Sequence, residues 1–503
     1  MANVCMILEG TYPYITGGVS SWVHDLISNL PDITFDIVAI LPSKNYLKEY
    51  KYKIPSNVKS IKNIFLNEFS NEAGFNIGYF HRKEFFNILE SAVTDIKNNK
   101  FDALKTVMDL FGKFRPDSGD LIKSAEGWEF LNKLYERFNP EFSYLDFFWT
   151  MRFIMIPLIN LMKAEPPECD CIHTISTGYA GILASLFKIR TNKKMMLTEH
   201  GIYTNERVLE IVNASWIYER HSDTVDIMKE ISPLKKLWIN LFMYIGKITY
   251  YYSDKIITLY NDNMHLQISL GADPEKCEVI PNGIDVARFK NKRTALPLAP
   301  KYKIGYVGRI VQIKDIKTLI YAARFVADKY PEAEFLLKGP TDEEKDYYAE
   351  CRTLTSILGL EKNVMFLGPS DVSDFYKDLD LLALSSISEA QPLALLEANL
   401  CAVPVVATDV GAVSELIFGA DSDDRALGAS GAVVAVKSPE ALGGEIIRLL
   451  RDRELNVKMG ANGVKRVLKY YKKEELISKY HELYFKYAGL AGGLKRGDGR
   501  WRE

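Results

Sequence analysis

Leu381–Glu415, LLALSSISEAQPLALLEANLCAVPVVATDVGAVSE, reads as a strand, a short polar loop, a helix and a second strand. The strands, Leu381–Leu384 and Val403–Ala407, are near-continuous apolar runs, as expected where helices cover both faces of a parallel sheet. Pro392 suits the first helical position, where its fixed φ fits and its missing N–H has no helical partner. The loop Ser385–Gln391 then delivers Glu389 just before the helix and Glu397 to its second turn. A helix N-terminus at the carboxyl edge of such a sheet offers free N–H groups and a positive dipole end, which suits phosphate. Carboxylates beside it are poor phosphate ligands, but they can accept hydrogen bonds from the hydroxyls of a phosphate-linked sugar or ribose. The plainer role is dipole stabilisation by Glu389, with Glu397 a solvated helix residue.

The same alternation extends outward in both directions. Strand-like runs occur at Val4–Leu8, Phe35–Leu41, Cys169–Ile175, Lys194–Thr198 and Lys255–Leu259. They restart at Lys303–Val307, Glu334–Leu337 and Val364–Leu367, and continue beyond the quoted stretch with Ala432–Val436. A single sheet of about a dozen strands is unusual, so two doubly wound α/β domains are expected. The expected boundaries are residues 1–285, a linker at 286–302, a second domain at 303–470, and a final helix and tail at 471–503. Asp285–Pro300, basic and then proline-rich, marks the linker. The last helical pattern is Lys473–Tyr487, and spacing alone does not say where it packs. The Gly- and Arg-rich tail Ala488–Glu503 is expected to fray.

Roughly 125 residues separate the second and third strand-like runs, far more than one crossover needs. Residues 65–149 contain 19 aromatics, nearly twice the density of the chain as a whole, which excludes a floppy linker. Helical stretches at His81–Asn98 and Gly127–Phe138 point to a helical insertion, about residues 60–165, with its own core. It packs onto its own domain or presents a docking surface to a protein partner.

Composition narrows the function classes. The 503 residues carry 63 Lys plus Arg against 65 Asp plus Glu, a net charge of −2, so nothing favours nucleic acid as a partner. The six cysteines form no C-x-x-C pair; Cys169 and Cys171 are expected to be buried thiols. MANVCMILEGTYPY lacks the features of a secretory signal, and the most apolar helix candidate, Leu234–Tyr252, is interrupted by lysines. A cytoplasmic location is the expectation.

Two further clusters could carry chemistry. In Ile304–Asp315, IGYVGRIVQIKD, Gly308-Arg309 ends a strand and Lys314 follows. An Arg fork and a Lys point charge five residues apart can converge on a diphosphate. After the first strand, Gly17 and Gly18 permit close backbone approach, and Ser20 and Ser21 could cap the next helix. This is not the dinucleotide fingerprint, since G-x-G-x-x-G is absent. Two D-x-D triplets, Asp378-Leu379-Asp380 and Asp421-Ser422-Asp423, are the metal-site candidates, and neither adjoins a basic or glycine-rich cluster.

G-G-V near the start, P-N-G-I-D at Pro281–Asp285, G-R-x4-K at Gly308–Lys314 and E-x7-E from Glu389 to Glu397 together resemble the retaining glycosyltransferases of family 4. The resemblance spans nearly the whole chain and is strongest over Gly305–Glu415. LEGTYPYITGGVSSW at Leu8–Trp22, with SISE-x-QPLALLEA, is more narrowly similar to the PelF-type transferases of Pel exopolysaccharide assembly. The resemblance implies the GT-B architecture of two facing Rossmann-like domains. It further implies that a hexosyl unit moves from a UDP-sugar to a growing glycan acceptor, with retention and without a metal or other cofactor. Arg309 and Lys314 would bind the diphosphate, Glu389 the transferred sugar and Glu397 the ribose. Gly308 and the backbone of Ala390, Gln391 and Leu393 would face sugar and phosphate beside Pro392, which has no N–H to offer. Gly17 and Gly18 would let the first domain approach the diphosphate, and His200, in TEHG, would lie near the sugar. Membrane-embedded polysaccharide export subunits are the implied protein partners. Two positions depart from the family's usual glycine, Ala390 and Ala402; a positive φ at either would add about 1 kcal/mol of strain. A sugar-nucleotide epimerase of the same fold, a metal-dependent transferase and a non-catalytic subunit are the alternatives.

Overall fold

The computed structural model describes residues 1–46, 49–68, 75–137, 142–214, 231–289 and 302–490. Two parallel sheets organise the chain. The first contains β1 (Ala2–Glu9), β2 (Ile33–Leu41), β3 (Val58–Phe65), β4 (Cys171–Thr174), β5 (Lys194–Glu199), β6 (Lys255–Thr258) and β7 (Cys277–Val279), in the order β3-β2-β1-β4-β5-β6-β7. The second contains β8 (Lys303–Val307), β9 (Glu334–Lys338), β10 (Val364–Gly368), β11 (Leu381–Leu384), β12 (Val405–Thr408) and β13 (Gly431–Val434), in the order β10-β9-β8-β11-β12-β13. In each, the chain first winds one way from the starting strand and then returns to its other side. The reversal falls at β1/β4 in one sheet and β8/β11 in the other, where doubly wound folds leave a crevice at the strands' carboxyl ends.

Two strands escaped the sequence reading. VKSIKNIF of β3 lies at the sheet edge with Lys59, Ser60 and Lys62 interrupting its apolar run, so no continuous apolar signal exists. β7 has only three residues, none fully buried. Because residues 58–65 belong to the sheet, the helical insertion begins later than the expected residue 60. Its helices are Tyr79–Lys97, Ala103–Phe114, Ser118–Ile122, Ala125–Arg137 and Tyr144–Met162.

Contacts divide the chain into two compact units. The first comprises Met1–Ile257, Leu266–Glu278 and the chain from Tyr480; the second comprises Thr258–His265 and Val279–Lys479. The chain therefore changes units earlier than residue 285, and the end of the final helix, Lys473–Tyr487, returns to the first unit. Within that unit Tyr484 and Thr198 clamp the ring of buried His173, at 2.7 and 2.9 Å. Most of the expected linker, and the tail beyond residue 490, lie outside the described residues.

The second unit's core is built from the fully buried residues of β8, β11 and β12 and the helices beside them, among them Tyr306, Leu382, Val406, Leu395 and Leu396. Each large apolar side chain removed from water contributes roughly 1.5–3 kcal/mol, so the strands are fixed far more firmly than the loops leaving them. The insertion has its own cluster around Phe85, Phe86, Leu110 and Phe130. Asp120, fully buried there, accepts hydrogen bonds from the backbone N–H groups of Asn76, Ile77 and Asp117, which joins the helices' ends. Tyr144–Met162, not Leu234–Tyr252, is the described helix long and apolar enough to cross a membrane by length and composition. Seven of its residues are buried, and Ile159 joins the insertion's core.

Candidate functional site

At the β8/β11 reversal of the second unit, two loops leave adjacent strands and are locked together. β8 is followed by Gly308, where a Cβ would stand 2.6 Å from the Tyr306 hydroxyl; that hydroxyl donates to the Arg309 carbonyl at 3.0 Å. A single 3-10 turn, Gln312–Lys314, then presents Lys314. From β11, Ser385 donates through Oγ to the Lys314 carbonyl at 3.0 Å, and Ile387 through its N–H to the Ile313 carbonyl at 2.8 Å. Behind the loop, Thr408 Oγ1 donates to the Ser386 carbonyl at 2.6 Å and the Ala412 N–H to the Ala390 carbonyl at 2.8 Å.

These bonds bring Lys314 and Glu389 together. Lys314 Nζ lies 2.5 Å from Glu389 Oε1, with both side chains largely buried, and Ser386 Oγ donates to the same carboxylate oxygen at 2.7 Å. The carboxylate thus holds the ammonium in place beneath the loop. Arg309 is exposed instead, and its guanidinium reaches Glu343 at 2.5 Å. One cation is preorganised and the other is held by a solvent-screened pair of little strength, free to exchange partners.

The helix after the loop runs Leu393–Leu400, one residue later than expected: Pro392 is its N-cap, with φ −70° and ψ 110°, rather than its first helical residue. No side chain caps this N-terminus, so its positive end faces the loop uncapped. Gln391, expected to contact a donor, turns its side chain to the backbone of Asn282 in the P-N-G-I-D motif. It accepts from the Asn282 N–H at 2.7 Å and donates to the Asn282 carbonyl at 3.3 Å. Glu397, on the second turn, accepts from the Tyr376 hydroxyl at 2.6 Å. Burial pushes the Glu397 carboxyl above the usual carboxylate range, opposed by the Tyr376 bond and by Arg288. Of the expected residues, Gly308, Arg309, Lys314, Glu389, Ala390, Gln391 and Pro392 therefore gather on two adjoining loops, with Leu393 and Glu397 on the helix that follows. Ser386, in the loop, and Tyr376, on the 3-10 turn Tyr376–Asp378, were not singled out; a single hydroxyl carries no spacing signal of its own.

The first unit holds the remaining candidates. Its first helix spans Gly18–Ser28, and Gly17 is its N-cap with no side-chain bond, so Ser20 and Ser21 fall inside the first turn and cap nothing. A Cβ at Gly17 or Gly18 would meet no atom within 4 Å, which leaves open space beside this backbone. His200 follows β5 and meets the ring of Trp22 edge-on, centroids 4.7 Å apart. Burial pushes the His200 imidazole down to about 4, so it is neutral at physiological pH. Among the described residues, its Nε2 is buried without a hydrogen-bond partner, as are Trp22 Nε1, Thr11 Oγ1 and Ser176 Oγ. Thr11 follows β1, Ser176 follows β4 and Trp22 sits on the first helix, so all four groups belong to segments leaving the carboxyl ends of neighbouring strands. Buried polar atoms are normally paired, and these four exceptions lie along one sheet edge. Beside them Glu199 is saturated: Thr177, Tyr250 and Gln267 donate to it at 2.8, 2.8 and 3.0 Å.

One carboxylate of each D-x-D triplet has a partner within the fold. Asp380 accepts from the Lys303 N–H and pairs with Arg453 at 2.7 Å. Asp421 caps the short helix Ser422–Arg425, and the neighbouring Asp424 forms a buried pair with Arg466 at 2.6 Å. All six cysteines are free thiols; Cys277 alone is partly exposed.

Two Rossmann-like parallel-sheet units of seven and six strands constitute the GT-B architecture, and solved structures agree. Sucrose-phosphate synthase from Thermosynechococcus elongatus superposes with a TM-score of 0.57 at 17% identity, covering 97% of this chain and 99% of that one. Anabaena HepE in complex with UDP-glucose gives 0.58 at 14%, covering 97% and 100%. By sequence, N-acetyl-alpha-D-glucosaminyl L-malate synthase of Bacillus anthracis is 28% identical over 217 residues, 41% of this chain and 53% of that protein. The chain spans about half the length of the curated relatives it matches. The locked loops with Lys314 and Glu389 fall within residues 288–466, which match the family model described as Glycosyl transferases group 1. With residues 2–275 matching the model described as Domain of unknown function (DUF3492), more than half its length, the chain belongs to that family and carries a group 1 glycosyl transferase domain behind it.

Proposed function

We propose that this chain is a retaining glycosyltransferase that moves a hexosyl unit from a UDP-sugar, UDP-glucose or a UDP-N-acetylhexosamine, to a growing exopolysaccharide. The observation that carries the reading is the Lys314–Glu389–Ser386 cluster beside an uncapped helix N-terminus at the β8/β11 reversal. Bond breaking leaves negative charge on the departing diphosphate and positive charge on the sugar ring. Lys314 and the N–H groups at the start of Leu393–Leu400 oppose the first charge from fixed positions, which costs little reorganisation, and Arg309 joins them by leaving its exposed pair with Glu343. With that charge supplied by side chains and backbone, the reaction proceeds without a divalent ion. Glu389 then has two roles: in the empty site it is the counter-ion that positions Lys314, and in the loaded site it accepts from sugar hydroxyls. Glu397 exchanges its Tyr376 bond for ribose hydroxyls. In a front-face reaction the leaving phosphate takes the acceptor's proton, so no enzymic nucleophile is needed. The unpaired His200, Trp22, Thr11 and Ser176 atoms supply polar contacts for sugar or acceptor. The Leu8–Trp22 and SISE-x-QPLALLEA resemblances support the exopolysaccharide assignment, a cytoplasmic location and membrane-embedded export subunits as partners.

The test is UDP release with UDP-glucose, UDP-N-acetylglucosamine and UDP-N-acetylgalactosamine, with and without oligosaccharide acceptor. One donor is expected to turn over with acceptor and to give no epimer alone. Arg309→Ala and Lys314→Ala should each lower kcat/KM at least tenfold, about 1.4 kcal/mol of transition-state stabilisation. Losses below tenfold, or an epimerised donor, overturn the proposal.

A further inference from the structure

The helical insertion closes only partly onto the first sheet's helices: Leu104, Met108, Ile154 and Leu161 join their buried cluster, and a space remains beside it. Between its own core, represented by Val107, Leu121 and Phe130, and that of the parent fold, represented by Ile182, Ile245 and Ile248, lies a cavity of about 460 Å3. Native interiors hold few voids larger than a water molecule, and a cavity of this size falls in the ~300–1,000 Å3 range of small-molecule sites. Its wall is almost wholly apolar and mainly aliphatic. Met151, Ile154, Met155, Leu158 and Met162 come from one face of helix Tyr144–Met162, at the spacing that lines a single stripe. An apolar wall of this kind favours apolar guests, and methionine side chains adapt to a flexible one.

The polar lining is sparse and cationic. Lys97 ends helix Tyr79–Lys97, is exposed, and has no ion-pair partner among the described residues; the Tyr244 hydroxyl holds its carbonyl at 3.0 Å. Arg137, at the end of its own helix, is paired with Glu90. Thr94, Asn240 and Tyr244 add hydrogen-bonding groups, and among the described residues no carboxylate lines the space.

We infer that this cavity binds the acyl chain of a single-chain anionic amphiphile, with the hydrocarbon among the methionines and the head group at Lys97. The site is confined to the first unit and independent of the proposed transferase chemistry.

The experiment uses the full-length chain and cis-parinaric acid, a fatty acid whose fluorescence rises in apolar surroundings, with palmitate and hexadecanol as competitors. Saturable 1:1 binding is expected, displaced by palmitate and at least tenfold less effectively by the uncharged alcohol. Lys97→Glu, a surface change, should weaken binding at least fivefold, and Leu158→Trp, which fills the cavity, should abolish it with UDP binding retained. Met155→Phe provides a milder filling should Leu158→Trp fail to fold. Absence of saturable binding overturns the inference. So does equal displacement by the alcohol, unchanged affinity in Lys97→Glu, or unchanged affinity in whichever filled variant folds.

Discussion

Ala402 shows what one residue's backbone can say that its identity cannot. Both departures from the family's glycine, Ala390 and Ala402, were visible in the sequence, but only dihedral angles separate them. Ala402 has φ +61°, whereas Ala390 is not among the residues with positive φ. The cause is positional: Ala402 follows the C-cap of Leu393–Leu400, the place where a left-handed residue ends a helix and where glycine is usual. Its N–H bonds the Asn399 carbonyl at 3.0 Å, and its own carbonyl is where a Cβ on Gly460 would stand only 2.3 Å away, so the turn has little freedom to relax. A left-handed alanine costs about 1–2 kcal/mol, and a glycine gives back roughly 0.4–1 kcal/mol through greater freedom in the unfolded chain. Ala402→Gly should therefore stabilise the protein by about 0.5–1 kcal/mol, seen as a Tm rise of a degree or two with turnover unchanged. A Tm equal to or below the parent's would show that the turn is not strained.

At the scale of elements, the sequence was clearest where a strand is buried on both faces and least clear where one is not. β8 and β11 run over the residues their apolar pattern marks, while β3, with lysines on its edge, and β7, with three residues, left no such pattern. Loops are harder still, because what shapes them comes from distant residues. Nothing in SSISEAQ states that Glu389 will turn onto Lys314. That geometry comes from Thr408, Ala412 and Ile313, which bond the loop from outside it. Gly411 is the tightest of these supports: its φ is +54°, and a Cβ there would lie 2.1 Å from the Glu389 carbonyl oxygen. Gly411→Ala must either strain the turn or push the loop away, and both cost stability, by about 2 kcal/mol or more. Because the displaced group carries Glu389, turnover should fall at least tenfold even where the variant remains folded, as judged by its circular dichroism. Parent-like turnover would mean that the loop's position does not matter to the chemistry.

Over the whole molecule, the presence of two doubly wound sheets was legible because buried parallel strands announce themselves and their count exceeds what one sheet holds. The allocation of chain to the two units was not. Residues 258–265 and the final helix carry ordinary amphipathic spacing, and their membership is decided by partners far away in sequence, such as Glu415 for Asn261 and His173 for Tyr484. This division gives the donor-site proposal a consequence that needs no assay of transfer. A ligand that binds one folded unit raises that unit's resistance to opening by RT ln(1 + [L]/Kd), about 2.7 kcal/mol at a hundred times Kd. Amides that exchange only through opening of the second unit should then slow about a hundredfold, and β8, β11 and β12 hold the most buried of them. Hydrogen exchange with saturating UDP is expected to show that protection in β8, β11, β12 and the first turn of Leu393–Leu400, and much less in β1, β2 and β4. The opposite distribution, with the first sheet protected and the second unchanged, would locate the diphosphate away from Lys314 and remove the physical basis for the proposed leaving-group stabilisation.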